Sequence, residues 1–409
     1  MTAPFAADTH PGGPRILFVG LAESSHTHSW VDLLEGADFN VRLFAMPSGL
    51  PPDDWRVRTY VTAQAAAPLD PATRACLYAR RGRALRFAKR VVARAAGADR
   101  AVTPARWLAR VVREWRPHVI HTLGLDAGKF YFDARQSYGL AGAGKWVLQT
   151  RGGADLALAH LDPEARGRMG EVMRACDRLL SDNLENFRIA RALGVAEEKL
   201  ADIAPVPGTG GVDVDALASR RRGEPSARRT ILWPKAYECP WSKALPVFEA
   251  LKLCWERIQP CAVEMLATDA EARMWYWSLP EPVREGCRPH ERIPRARALE
   301  LMTEARVMLA PSLVDGVPNS MYEAMAAGAL PVVSPLDTIR PLVEGGRNVL
   351  FARNLYPEEI AAALARAMAD DALVDSAARE NLALVRRVAD RGEIRARVID
   401  FYERLAARG

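Results

Sequence analysis

The chain has 409 residues, of which 49% are hydrophobic and 26% are charged, and its formal net charge is +6. This length suits two domains, and the balance is typical of a soluble globular protein. The sequence contains no apolar run long enough to span a bilayer, no secretory signal, no CxxC pair and no HExxH pattern, which argues against an integral membrane protein, a disulfide scaffold and a zinc site. We therefore expect a cytoplasmic protein with reduced thiols and no bound metal.

Strand and helix patterns alternate along the first half of the chain. Short apolar runs predict strands at Arg15–Gly20, Val41–Ala45, Val119–Thr122, Trp146–Thr150 and Arg178–Ser181. A helix-compatible stretch from Ser25 to Glu35 follows the first run. Strands that alternate with helices predict a parallel sheet covered on both faces.

The alternation pauses at Pro205–Asp213, where two prolines and three glycines indicate a hinge, and then resumes. The second half predicts strands at Thr230–Pro234, Ala262–Leu266, Val307–Ala310 and Leu330–Val333, and helices at Trp241–Glu256, Ala298–Ala305, Asn319–Ala327, Pro357–Ala369 and within Asp371–Arg408. The prediction is an α/β protein with two doubly wound domains facing a central cleft. Its divisions are a disordered lead-in over residues 1–14, domains over 15–205 and 206–390, and a C-terminal helix over 391–409 that packs back on the first domain.

The basic residues are concentrated in one region. Between Arg74 and Arg116, thirteen basic residues oppose two acidic ones, a local charge of +11 that leaves −5 for the rest of the chain. Within this region, residues 83–96 form an amphipathic pattern with arginines on one face. Either this helix lies on an anionic membrane surface, or it packs on the core and exposes a solvated basic face. No repeated interleaving of aromatic residues supports base stacking, so a nucleic-acid partner is not predicted.

The most informative segment is Pro311–Pro335, which reads PSLVDGVPNSMYEAMAAGALPVVSP. A strand leads into a loop, and a helix then begins near Asn319 and ends at Gly328. The start of a helix that follows a strand exposes unpaired amides and partial positive charge, which suits an anion. Glu323 lies one turn, about 5.4 Å, from the helix start. Its carboxylate can accept both hydroxyls of a ribose whose phosphates lie at that start, and Asp315 in the loop can accept hydroxyls of a sugar.

This segment resembles the E-x7-E region of retaining glycosyltransferase family 4, whose members have the GT-B fold. The resemblance implies that Glu323 binds the ribose of a nucleotide-sugar donor. It also implies that Asp315 and the backbone of Gly316, Val317, Pro318, Asn319 and Ser320 contact the transferred sugar and the phosphates. The chain has Asp315 where the family usually has glutamate, so the sugar contact is expected to differ.

Two lysines follow the first strand of the second half. Lys235 and Lys243 match the positions where the same family places cations that neutralise the leaving diphosphate. Fixed cations stabilise charge that develops as the bond between sugar and phosphate breaks. Without the resemblance, lysines near a strand end are as readily solvated surface residues.

Candidate acceptor-side residues lie in the first half. His26 and Thr27 resemble the histidine-threonine stretch with which the family opens its first helix, although the usual preceding glycines are absent and His26 could instead cap the helix. His121, at a strand end, matches a histidine that touches the transferred sugar in the family, or it is a core histidine. Arg151 and Asp155 follow another strand end, where glycines permit close backbone approach.

The resemblance implies a metal-independent, retaining hexosyltransferase that uses a UDP-sugar or GDP-sugar and needs no cofactor. Its acceptor would be a saccharide or a lipid-linked saccharide, in polysaccharide or other glycoconjugate biosynthesis. The expected location is the cytoplasm, with residues 83–96 as a peripheral contact to the inner face of the cell membrane. The alternative is a protein of the same fold that binds a nucleotide sugar without catalysis and acts as a partner or scaffold.

Overall fold

The computed structural model describes residues 5–62, 69–77, 103–152, 156, 161–203 and 205–407. The predicted basic helix at 83–96 and the predicted acceptor residue Asp155 lie outside these ranges. Every described helix is too short or too polar to cross a bilayer.

The first sheet has seven parallel strands in the order β4-β3-β2-β1-β5-β6-β7. Its strands are β1 Arg15–Gly20, β2 Asn40–Ala45, β3 Arg58–Val61, β4 Arg74–Cys76, β5 Val119–Leu123, β6 Lys145–Thr150 and β7 Arg178–Ser181. The described helices of this half are α1 Ser25–Val31, α2 Pro104–Trp115, α3 Leu125–Tyr138, α4 Pro163–Ala175 and α5 Leu184–Ala192. Strands β3 and β4 were not predicted, because each is short and mixes arginine with apolar residues.

The second sheet has six parallel strands in the order β10-β9-β8-β11-β12-β13. Its strands are β8 Thr230–Trp233, β9 Ala262–Met265, β10 Cys287–Pro289, β11 Ala305–Ala310, β12 Leu330–Val333 and β13 Leu350–Phe351. The helices are α6 Val214–Ser219, α7 Leu245–Ile258, α8 Ala270–Trp277, α9 Glu281–Glu285, α10 Arg295–Glu304, α11 Asn319–Ala327, α12 Pro357–Ala369, α13 Asp371–Ala389 and α14 Arg391–Ala407. The predicted helix 241–256 begins four residues later than expected, at Leu245.

Both sheets carry apolar side chains on both faces, as expected for parallel strands covered by helices. In the first sheet, one face packs on α2 to α5 and the other packs on α1 and α14. In the second sheet, α7 and α12 cover one face, and α10, α11 and α13 cover the other. In each sheet the strand order reverses direction at one point, between β1 and β5 and between β8 and β11. Ligands of doubly wound sheets bind at such reversals, outside the carboxyl ends of the strands.

Residues 5–14 differ from the predicted disordered lead-in. Asp8 accepts hydrogen bonds from Arg15 Nε at 2.7 Å and from Trp115 Nε1 at 2.9 Å, and it lies 3.5 Å from Arg42. The Phe5 ring meets Tyr60 edge to face, with ring centroids 5.0 Å apart. The Asp8 carboxylate thus attaches this segment to Arg15 of β1 and Arg42 of β2, two inner strands of the first sheet.

The chain crosses between the two sheets twice, and the two crossings touch. Val212 N donates to Ala389 O at 2.8 Å, and Arg391 N donates to Val212 O at 2.9 Å. Beyond this point α14 packs on the first sheet through Ile394, Val398, Phe401, Tyr402 and Leu405. The first sheet is thus completed by a helix that follows the second sheet in sequence.

Candidate active site

A cavity of about 580 Å³ lies between the carboxyl ends of the two sheets, at both strand-order reversals. The loops after β1 and β5 form the wall from the first sheet, and the loops after β8 and β11 form the opposite wall. The volume is in the range of small-molecule binding sites. From the second half of the chain, the lining side chains include Lys235, Tyr237, Arg295, Asp315, Val317, Pro318, Asn319, Ser320 and Glu323.

Helix α11 presents its start to this cavity. Pro318 occupies the N-cap position, and no side chain of the described residues caps the helix, so the amides of Asn319 and Ser320 are left without a capping group. The Ser320 Oγ atom is buried and has no hydrogen-bond partner within the described part of the chain. From the hinge, Thr209 Oγ1 donates to Asn319 Oδ1 at 2.8 Å and fixes that side chain. Two open amides and a hydroxyl in one place suit an anion such as a phosphate.

Glu323 lies one turn further along α11 and faces the same cavity. Its side chain is 9% exposed, and its Oε1 atom lies 2.7 Å from Arg295 Nη2 at the start of α10. Desolvation raises the pKa of the Glu323 carboxyl group, and the Arg295 guanidinium offsets part of that increase. The carboxylate is therefore desolvated, and its Oε1 atom accepts no well-aligned hydrogen bond within the described residues, which strengthens any hydrogen bond it accepts from a ligand.

Lys235 and Asp315 form an ion pair that joins the end of β8 to the loop after β11. Desolvation alone would lower the pKa of Lys235, but the attraction of Asp315, with a smaller effect of Tyr237, raises it on balance. The loop is held from the other side, because Thr338 Oγ1 donates to the backbone oxygen of Asp315 at 2.9 Å. Lys235 is therefore a fixed cation beside the start of α11.

The structure does not bring Lys243 to the surface of the cavity. Its Nζ lies 2.9 Å from Glu238 Oε1, and its backbone is held by Asn354, which accepts from Lys243 N at 2.9 Å and donates to Lys243 O at 3.0 Å. Glu238 Oε2 also accepts from Ala244 N at 2.7 Å, next to the start of α7. The sequence did not predict that the Glu238 carboxylate would pair with Lys243, in place of the leaving diphosphate.

Two of the predicted acceptor-side residues line the cavity, and one does not. His26 is open to the cleft, yet desolvation and the cations Arg151 and Lys235 lower its pKa to about 4. Its imidazole is therefore neutral at neutral pH. Arg151 also lines the cavity, and it donates to Gln149 Oε1 at 2.9 and 3.1 Å. Thr27 is buried against β1 and beside Gly20.

His121 is fully buried on the face of the first sheet that α14 covers. The Tyr402 hydroxyl lies 2.5 Å from His121 Nδ1 and accepts from Trp30 Nε1 at 3.1 Å. The other ring nitrogen, His121 Nε2, is buried and has no hydrogen-bond partner within the described residues. Burial, with a smaller effect of Arg151, lowers the pKa of His121. The structure therefore places this candidate in a packed network below the cavity.

The two halves of the chain touch at the edge of the cavity. Asp182, after β7, accepts from Gly152 N at 2.8 Å, and its Oδ2 atom would lie 2.7 Å from a Cβ added at Gly316. The same Cβ would lie 2.6 Å from the Gly152 Cα atom. The loop before α11 can meet the first domain this closely only because Gly316 has no side chain, whereas a Cβ added at Gly152 would lie 3.7 Å from Gly316 N, an ordinary contact.

Arg295 and Asp182 were missed by the sequence reasoning. Asp182 directly follows the end of a predicted strand, where ligand-binding residues of such sheets lie, so it could have been predicted as a cleft residue. Arg295 precedes the predicted helix and lies 28 positions before Glu323, and nothing local in the sequence links the two. Among the described residues, no group of three or more histidine, cysteine, aspartate or glutamate side chains could hold a metal ion.

The two opposed doubly wound sheets define the architecture named GT-B, and the predicted fold is confirmed. Residues 263–370 match the family Glycosyl transferases group 1. HepE from Anabaena, solved with UDP and glucose, superposes with a TM-score of 0.65 at 12% identity and covers 95% of this chain and 98% of its own. Sucrose-phosphate synthase from Thermosynechococcus elongatus superposes with a TM-score of 0.68 at 15% identity, over 97% and 100% of the two chains.

A third similar structure is trehalose 6-phosphate synthase from Burkholderia multivorans, with a TM-score of 0.65 at 14% identity over 97% of this chain and 99% of its own. At these identities the likeness is one of fold. No curated protein sequence matches the chain.

Proposed function

We propose that this protein is a retaining glycosyltransferase that moves a sugar from a nucleotide-diphosphate sugar to an acceptor hydroxyl. The observation that carries the proposal is the arrangement on α11. An open helix start, with Lys235 beside it, lies one turn from the buried carboxylate of Glu323, inside a cavity of about 580 Å³. That spacing matches a diphosphate and the ribose attached to it.

The donor is proposed to be a UDP-sugar or a GDP-sugar. Glu323 accepts the ribose hydroxyls, and the amides of Asn319 and Ser320 donate to the diphosphate. Asp315 and the backbone of Gly316, Val317 and Pro318 are proposed to contact the transferred sugar and the phosphates. The match of residues 263–370 to the family supports this assignment, since that segment contains α11 and its loop. HepE, with the same fold, has been solved with UDP-glucose.

The proposed reaction is a displacement on one face of the sugar. The acceptor oxygen forms a bond to the anomeric carbon as the bond from that carbon to the phosphate oxygen breaks, and the acceptor proton passes to the departing phosphate. Negative charge grows on the diphosphate, where Lys235 and the start of α11 stabilise it. Lys243 is proposed as a second cation, which requires its release from Glu238. No step needs a metal ion.

The acceptor is proposed to be a saccharide or a lipid-linked saccharide used in polysaccharide or glycolipid biosynthesis. His26, Thr27, Arg151 and Asp155 are the candidates on this side. A neutral His26 can donate or accept one hydrogen bond to an incoming hydroxyl. Residues 83–96 are proposed to contact anionic lipid at the cytoplasmic face of the membrane, a contact that salt would weaken.

The function is tested by a thermal-shift panel of UDP, GDP and ADP with their sugars. We expect one nucleotide class to stabilise the protein against heat. For the sugar donor of that class, we expect Glu323→Gln to lower turnover by about 100-fold or more, because the variant loses a buried, charged hydrogen-bond acceptor. Glu249→Gln, which changes an exposed carboxylate on α7 paired with Lys252, serves as the matched control. Equal turnover in the two variants would contradict the role of Glu323.

The second candidate is a nucleotide-sugar-binding protein without catalysis. Asp315 favours it, since the carboxylate is one methylene shorter than in the family pattern and is already paired with Lys235. Slow hydrolysis of the donor without an acceptor separates the two functions. Binding without any hydrolysis or transfer would select the second one.

A further inference from the structure

Arg295 is a charged residue of the cavity that the proposed reaction does not use. It is the first residue of α10, and its side chain is 60% exposed although its Nη2 atom lies 2.7 Å from the buried Glu323 carboxylate. Most exposed ion pairs contribute little, but here one partner is desolvated. Ionising a carboxyl group in such a desolvated position costs free energy unless a cation stays close to it.

The other charged groups around Glu323 are engaged elsewhere. On the cavity side, Lys235 is paired with Asp315, Asp182 is bonded to Gly152, Arg151 is bonded to Gln149, and His26 is neutral. On the elements packed against α11, Arg391 is bonded to Thr209, and Arg221 is bonded to the Met325 and Ala326 carbonyls. Within the described residues, Arg295 is thus the cation in ion-pair contact with Glu323.

We propose that Arg295 is a positioning residue for donor recognition, which holds Glu323 as a carboxylate aimed at the ribose and so sets the preference for ribose over 2′-deoxyribose. This inference rests on the proposed function, in which Glu323 accepts the ribose hydroxyls. It extends that function because it assigns nucleotide selectivity to a residue on a different helix, 28 positions earlier in the chain.

The physical consequence is a change in how nucleotide binding depends on pH. Desolvation already raises the pKa of Glu323, and the positive charge of Arg295 offsets part of that increase. Without the guanidinium, the carboxyl pKa rises further, so protonation begins at a higher pH as the solution is acidified. A protonated carboxyl group loses charge-assisted acceptance from the ribose hydroxyls, and the preference for ribose falls with it.

The experiment is isothermal titration of the nucleoside diphosphate that binds the wild-type protein, and of its 2′-deoxy analogue, at a series of pH values on both sides of neutrality. In wild type we expect ribose to be preferred throughout. In Arg295→Met we expect the preference to fall about tenfold at the acidic end and to recover at the basic end. Arg295→Lys should restore most of the preference, since it returns a cation.

Two controls separate this role from a structural one. Arg297→Met removes the same charge from the same helix, where Arg297 pairs with Glu300 at 2.6 Å, and it should leave the preference unchanged. In a Glu323→Gln background, Arg295→Met should add no further pH dependence, because the titrating group is gone. Carbon-13 NMR of glutamate carboxyls should show the Glu323 pKa higher in Arg295→Met than in wild type.

The failures are distinguishable. If Arg295→Met weakens ribose and deoxyribose nucleotides equally at every pH, the guanidinium contacts the nucleotide directly and the inference is wrong. It is equally wrong if the variant changes nothing. If wild type binds no nucleoside diphosphate, the proposed function itself fails, and the inference fails with it.

Discussion

Asp315, in the loop after β11, and Lys235, after β8, form an ion pair that lines the cavity. Asp315 is the main influence that opposes desolvation and raises the pKa of Lys235. In Asp315→Asn this opposing influence is lost, so we expect the pKa of Lys235 to fall. Lys235 would then lose its proton at a lower pH, and the alkaline limb of the kcat/KM profile would move to lower pH.

The same variant should also lower kcat/KM at neutral pH by about tenfold or more, since a contact to the transferred sugar is removed. Asp337→Asn, at an exposed position nearby, is the control. An alkaline limb that stays in place in Asp315→Asn would show that Lys235 does not depend on this carboxylate.

Single residues were predictable from the sequence where a local pattern fixed them. Asp315, Asn319, Ser320 and Glu323 lie within nine positions on one loop and helix, so their meeting follows from helix geometry, and the structure places all four at the cavity. Their roles remain predictions. The direction of His121 was not predictable, because the face of β5 on which it lies is defined by Tyr402, 281 positions later.

Helix α11 shows how one element keeps its functional start in place. Its C-terminus ends at Gly328 with φ of 89°, a left-handed conformation that favours glycine. Arg221 donates to the Ala326 carbonyl at 3.0 Å and to the Met325 carbonyl at 3.2 Å, and so satisfies part of this end. The helix therefore begins after Pro318 and ends at Gly328 because of these specific residues, in addition to its packing.

Gly328→Ala should lower the free energy of unfolding by about 1–2 kcal/mol, because alanine in a left-handed conformation is strained. The added Cβ would also lie 3.3 Å from Arg221 Nε and disturb the cap. Urea unfolding measures the change.

Gly167→Ala is the control, because Gly167 lies on an exposed face of α4 with no atom near the added Cβ. It should stabilise the protein by about 0.5–1 kcal/mol. Equal effects of the two substitutions would contradict the argument.

At the level of elements, the strands that the sequence predicted are apolar runs of four or more residues that end beside glycine or polar loops. Strands β10 and β13, with three and two residues, carry too little pattern to be recognised. They exist because β9 and β12 offer free edges to pair with. Tertiary pairing, which no local window contains, determined these elements.

At the scale of the whole molecule, the contact between α14 and the first sheet ties the two halves together. The Tyr402 hydroxyl is its buried polar centre, bonded to Trp30 and His121. Tyr402→Phe leaves both partners without this bond in the core, and we expect a loss of about 1–3 kcal/mol in the free energy of unfolding. The change is measured by urea unfolding followed through tryptophan fluorescence.

Tyr356→Phe is the matched control, since Tyr356 is exposed and stacks under Arg353 through its ring, which phenylalanine retains. It should unfold like wild type. A Tyr402→Phe variant as stable as this control would mean that the buried network contributes nothing to holding α14.

The return of α14 to the first sheet has a consequence for how the protein is made. Residues 394–405 cover the part of an apolar face that α1 leaves open, so that part stays uncovered until the intervening second sheet has been translated. At about 5–20 residues per second, the delay is on the order of ten seconds or more. The half of the molecule that leaves the ribosome first therefore completes its apolar core only after the second half has been translated, and its exposed face is a natural target for chaperones during that interval.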